Sequence, residues 1–246
     1  MTHDHASILM YHSVGPRTDY YYTVTVDNFR RQMAYLHKHT ISVISLEECI
    51  RRLRNNESLE ESVVLTFDDG YRNNYTTVFP ILKKYNFPAT IFLQTGLVGG
   101  SDKRDMERLT EEDLHEMQLS GLVSIQPHTV THPRLTLVDS KQLQIEVRES
   151  KRYIEVLLGN VCRAFAYPYG KSNVEIIRAL MDGGYEYALT TQSGVVSPAH
   201  LFKENGMYLL PRNDINQSIS LDEFIRLVAP GKSWIRRYVD RIQLYF

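Results

Sequence analysis

The sequence predicts an α/β fold built on a parallel sheet. Short apolar runs alternate with segments of helical periodicity along most of the chain, the pattern of strand–helix–strand units with right-handed crossovers. Three of these runs end in chemistry-bearing residues: His12 after 8–11, Asp68 and Asp69 after 63–67, and His128 with His132 after 122–125. In parallel α/β folds the C-terminal strand ends share one face, where ligands and catalytic groups collect. The 246 residues contain no repeat, low-complexity stretch or long linker, and they read as a single domain over 1–246.

The elements follow in order. The first strand covers 8–11, and Gly15-Pro16 marks the loop after it. Thr25 or Asp27 caps a helix over 29–36. Residues 41–44 alternate and read as a strand. Ser45 caps the next helix, with Glu48 as its capping-box partner, and Asn55-Asn56 close it. Val63-Val64-Leu65-Thr66-Phe67 is a buried strand stopped by Asp68-Asp69-Gly70. Apolar spacing predicts a helix over 75–85, closed by Phe87-Pro88, then a strand over 89–93 and a glycine-containing loop over 96–103. Thr110 to Asp113 start a helix that Gly121 ends. After the strand at 122–125, a long amphipathic helix fills 140–158 until Gly159 stops it. A strand follows at 164–167, a helix capped by Ser172 runs to Met181, and Gly183-Gly184 turn into a strand at 187–191. Residues 208–210 read as a last short strand, and Ser220 caps a helix over 224–228.

Composition narrows the class. The formal net charge is -1, which gives no reason to expect a nucleic-acid partner. Cys49 and Cys162 lack metal-type spacing and read as small core residues. The N-terminus has no basic start, apolar stretch and cleavage site, and no segment approaches the ~20 apolar residues of a membrane span. The chain therefore reads as cytoplasmic, or as an exported protein after removal of its signal. The tail at about 231–246 is basic on one side and aromatic on the other. It reads as a helix packed on the body of the molecule, the alternative being a membrane or protein contact.

Two features carry the chemistry. Asp68 and Asp69 are adjacent anions, and two carboxylates that close repel unless a metal or a basic group lies beside them. His128-Thr129-Val130-Thr131-His132 places two imidazoles four residues apart, able to aim at one point. One aspartate with two histidines binds zinc or a related divalent metal and leaves a position open for water and substrate.

Thr66-Phe67-Asp68-Asp69-Gly70 together with His128-Thr129-Val130-Thr131-His132 resembles the polysaccharide deacetylases, carbohydrate esterase family four. Phe165-Ala166-Tyr167-Pro168-Tyr169-Gly170 is similar to that family's third motif, and the similarity runs from about Ser7 to about Leu210. The resemblance implies a single irregular (β/α)7-type barrel and metal-assisted removal of N-acetyl groups from an N-acetylglucosamine-containing saccharide. It implies that Asp69, His128 and His132 hold the metal, with zinc first and cobalt, nickel or iron also suited. Asp68 would be the base, and the backbone N–H of Tyr169 the oxyanion donor. His12 is the general acid in this reading, because the sequence resembles the poly-N-acetylglucosamine deacetylase branch with an N-terminal block like Met10-Tyr11-His12. Two departures stand out. The arginine many members carry before the third motif is replaced by Ala166 and Tyr167, leaving Arg163 and Arg212 as candidates to tune Asp68, and a C-terminal Leu-x-His is absent. Tyr20-Tyr21-Tyr22 read equally as one wall of a sugar cleft or as a cap on the core. An O-acetyl xylan esterase and a non-catalytic saccharide-binding module remain as alternatives.

Overall fold

Alternation along one strand sets the architecture. In the computed structural model, which describes residues 4–16 and 19–229, the strand β5 (Ser62–Asp68) turns Val63, Leu65 and Phe67 to one face and Val64 to the other. The first set meets helices and the second meets the same-phase residues of the other strands. The tail at 231–246 lies outside the described residues.

The remaining strands are β1 (Ala6–Tyr11), β2 (Ser13–Val14), β3 (Thr23–Val24), β4 (Ser42–Val43), β6 (Ala89–Leu93), β7 (Val123–Pro127), β8 (Ala164–Ala166), β9 (Tyr187–Leu189) and β10 (Asn213–Asp214). The helices are α1 (Val26–Lys38), α2 (Leu46–Arg54), α3 (Phe79–Tyr85), α4 (Glu111–Leu119), α5 (Ser140–Leu158), α6 (Val174–Asp182), α7 (Ala199–Phe202) and α8 (Leu221–Val228). The main sheet runs β10-β1-β5-β6-β7, all parallel, with β4 beside the start of β5. A second parallel pair joins β8 to β9.

Main-chain and side-chain bonds complete the ring. From β9, Leu210 N donates to Ala188 O at 3.0 Å, Thr190 N to Leu210 O at 2.9 Å and Arg212 N to Gln192 O at 2.9 Å. The same segment then pairs as β10 with Leu9 and Met10 of β1. Between β7 and β8 the Gln126 side-chain carbonyl replaces a ladder, accepting Arg163 N and Ala164 N at 3.0 Å each. The result is an irregular (β/α)7 barrel. Its interior is one cluster holding Ile8, Val64, Phe92, Ala164, Ala166, Leu189 and Leu210, the inward set expected of alternating barrel strands. Leu46, Cys49, Ile50 and Leu53 of α2 join that cluster, so α2 closes the end where the strands begin. No helix among the described residues is long and apolar enough to cross a membrane.

Several expectations need correction. The helix expected over 75–85 opens as a wide turn at Asn74–Val78, and α3 begins beside Pro80, which has no N–H to continue a regular ladder. Asn173, not Ser172, caps α6. Ser45 caps α2, but the Glu48 carboxylate is spent on Arg51 and Arg52 instead of a return bond. Gly206–Tyr208 forms a tight turn, so of the strand expected over 208–210 only Leu210 pairs, with Leu189 of β9; the chain pairs again past Pro211, as β10. Thr25 caps α1, Gly159 ends α5, and both cysteines are free and buried.

Candidate active site

Asp68 and Asp69 enter one cleft through a reversal of the backbone. Asp68 ends the inward face of β5. Asp69 then adopts φ +72° and Gly70 φ +71°, so neighbouring carboxylates that a strand would separate point into the same space. The turn starts one residue before the glycine that announces it in the sequence. A non-glycine residue held at positive φ costs about 1–3 kcal/mol. Arg108 Nη1 donating to Asp69 O at 3.1 Å and Leu109 N donating to Gly70 O at 3.0 Å fix the reversal.

Arg212 takes the place of the missing arginine. Its fully buried guanidinium grips Asp68 through Nη1–Oδ1 at 2.6 Å and Nη2–Oδ2 at 2.7 Å, and its Nε donates to Thr190 O at 3.0 Å. Arg163, the other candidate, pairs with Glu47 and Glu186 instead. Burial opposes ionisation of Asp68, but Arg212 and His128 outweigh it and hold the carboxyl at about 2. Asp69 is also lowered: burial acts against it, and His12, His128 and His132 act for it.

His128 continues the inward alternation of β7. Its Nδ1 meets Ala166 O at 2.7 Å, so that nitrogen carries the proton and Nε2 is left facing Asp69. Left-handed Thr129 (φ +69°) and His132 (φ +58°) tighten the following loop, and His132 N donates to Thr129 Oγ1 at 2.9 Å. His128 Nε2 lies 3.7 Å and His132 Nε2 3.5 Å from Asp69 Oδ1, and the three ligand atoms fall within 4.8 Å of one another. Donors ~2.0–2.1 Å from a tetrahedral ion stand about 3.3 Å apart, so this donor set fits a divalent metal with little movement. Burial, reinforced by His128, lowers His132 to about 4, which leaves it neutral near pH 7, the form that ligates.

These groups open into a cavity of about 380 Å³, also lined by His12, Tyr20, Tyr22, Tyr169 and Asp214. His12 extends the inward alternation of β1. Its ring packs on Tyr22 at 4.6 Å, and its carbonyl accepts Asn74 Nδ2 at 2.9 Å. His12 Nδ1 and Asp214 Oδ1 are both buried without a hydrogen-bond partner. Burial raises the Asp214 carboxyl, while Asn216 and then His12 pull it back. Asp214 carries no signal in the sequence, because β10 is a two-residue strand with no period of its own. Tyr20 and Tyr22 form a wall of the cavity, and Tyr21 projects into solvent. Tyr169 sits at φ +58°, its half-exposed ring edge-on to His132 at 4.8 Å. Gly170 follows at φ +66°, where a Cβ would lie 2.1 Å from Thr191 Oγ1, so only glycine fits this corner. A larger groove of about 530 Å³ lies between α2 and the starts of β8 and β9, but its arginines are matched by Glu47, Glu48 and Glu186 and none of these site residues lines it.

The family model for polysaccharide deacetylase matches residues 55–188, more than half of the chain. The chain belongs to the polysaccharide deacetylase family. Within that family it is 32% identical over 218 residues to YxkH of Bacillus subtilis, whose name places it in the same family, covering 88% of this chain and 74% of that protein. It is 32% identical over 185 residues to the poly-beta-1,6-N-acetyl-D-glucosamine N-deacetylase of Staphylococcus epidermidis, covering 72% of this chain and 64% of that relative. The Streptococcus pyogenes deacetylase PplD, solved in complex with acetate, superposes with a TM-score of 0.82 at 31% identity, over 92% of this chain and 99% of PplD.

Proposed function

We propose that this polysaccharide deacetylase hydrolyses N-acetyl groups on an N-acetylglucosamine polymer, with a divalent metal, zinc first, held by Asp69, His128 and His132. When bound, the metal supplies Lewis-acid polarisation of the acetyl carbonyl and lowers the pKa of water. Asp68, ionised and anchored by Arg212, takes the proton from the attacking water. The backbone N–H of Tyr169, at the left-handed corner beside His132, donates to the oxyanion. His12 protonates the departing amine, which leaves poorly without a proton. Asp214, the carboxylate at the same wall of the cavity, steadies the charged form of that ring.

The observation that carries this reading is convergence. The anchored carboxylate, the three-donor cluster and a histidine from a third strand line one cavity walled by Tyr20 and Tyr22. The poly-beta-1,6-N-acetyl-D-glucosamine N-deacetylases of Staphylococcus epidermidis and Staphylococcus aureus support the choice of substrate. An acetate-release screen over poly-β-1,6-N-acetylglucosamine, chito-oligomers and acetylxylan tests it. Release from the first is expected. Release from acetylxylan alone would overturn the amide reading in favour of an ester.

A further inference from the structure

The loop that carries both histidines is bound on both sides of its main chain. On one side, Thr95 N donates to Thr129 O at 3.1 Å and Gly96 N to Val130 O at 2.8 Å. The approach is close enough that a Cβ on Gly96 would lie 2.6 Å from Val130 O. On the other side stands Glu146 of α5, fully buried. Its Oε2 accepts Val130 N at 2.8 Å and Thr131 N at 2.9 Å. Its Oε1 accepts the Thr131 hydroxyl at 2.6 Å and Gln142 Nε2 at 2.8 Å.

A buried carboxylate is costly unless its acceptor positions are filled, and here four donors fill them. Without it, two main-chain N–H groups would be stranded inside the protein, each losing its partner at the full desolvation cost. The loop cannot absorb that loss, because Thr129 and His132 already hold left-handed conformations. The angle between the His128 and His132 rings is set by those two residues and by Val130 and Thr131 between them.

We propose that Glu146 is a positioning residue for the metal site, fixing the two histidines through the backbone of Val130 and Thr131. This rests on the reading of Asp69, His128 and His132 as ligands. It is tested by competing zinc between the purified protein and a chromophoric chelator. Glu146→Met fills the space without an acceptor, and its zinc affinity is expected to fall about 10- to 100-fold. Glu146→Gln should recover most of it, since the Thr131 hydroxyl and the Gln142 amide can each reverse their roles. Ile154→Ala, which opens a cavity two turns along the same helix, should keep the parent affinity. A folded Glu146→Met with parent affinity, or an equal loss in Ile154→Ala, overturns the inference. Parent protein with no measurable zinc affinity would instead overturn the ligand assignment itself. Should Glu146→Met fail to fold, hydrogen exchange in the parent decides: Val130 and Thr131 amides protected like those of α5 support the inference, and exchange at open-loop rates contradicts it.

Discussion

Burial raises the Asp68 carboxyl, and Arg212, with His128, outweighs it and keeps the group ionised. Breaking the pair costs more than the intact pair contributes. Removing one partner strands a buried charge, at a cost of about 3–5 kcal/mol. Asp68→Asn should therefore bind metal, lose turnover and unfold at lower denaturant. A variant that keeps turnover when metal is supplied would reverse the roles of the two aspartates. His12 makes a different demand. Its ring packs on Tyr22 and not in the barrel core, so His12→Ala should remain folded and metal-loaded. Amide hydrolysis should drop ~10²-fold or more, with a smaller drop on an activated O-acetyl ester, whose leaving group needs little protonation. Comparing the two rates in one preparation measures the acid's contribution. Asp68, Asp69 and His12 are legible because each is a polar residue at the end of an apolar run, and His128 and His132 because they stand four residues apart just after one. Asp214 and Glu146 are not. The bonds from Glu146 to the histidine loop and the approach of Asp214 to His12 form only when distant elements meet.

Gln126 shows the same principle for an element. Its side chain stands in for the missing ladder between β7 and β8, at an inward position where alternation alone would ask for an apolar residue. Gln126→Met keeps the volume and strands the N–H groups of Arg163 and Ala164. An unsatisfied buried donor costs about 1–3 kcal/mol, so the urea midpoint should fall by the equivalent of about 2 kcal/mol or more at unchanged slope. A midpoint shift below about 0.5 kcal/mol would mean that the barrel is closed by other contacts. Elements with a strong period or a side-chain cap were legible, as Thr25, Ser45, Thr110 and Ser220 each cap the helix assigned to them. Two-residue strands such as β2, β3 and β10 carry no period, and Pro80 hides the wide turn that precedes α3. Those are the places where reading and structure part.

At the scale of the molecule, the barrel is polarised. The end where strands begin is closed by α2 and its ion pairs with Glu186 and Arg163. The end where they finish holds the cavity, and the sharply turned residues Asp69, Thr129, His132 and Tyr169 gather there. Those four left-handed residues and the buried Asp68–Arg212 pair stand at this end, above an apolar interior. The proposed deacetylation requires one metal ion held by Asp69, His128 and His132. The most direct measurement is metal content by plasma mass spectrometry after exhaustive dialysis, made on the parent and on His132→Ala, with acetate release from poly-β-1,6-N-acetylglucosamine recorded on the same samples. The expected result is about one equivalent of zinc or a related metal in the parent, and loss of both metal and acetate release in the variant. Full metal occupancy in a folded His132→Ala protein, or acetate release from metal-free parent, would contradict it.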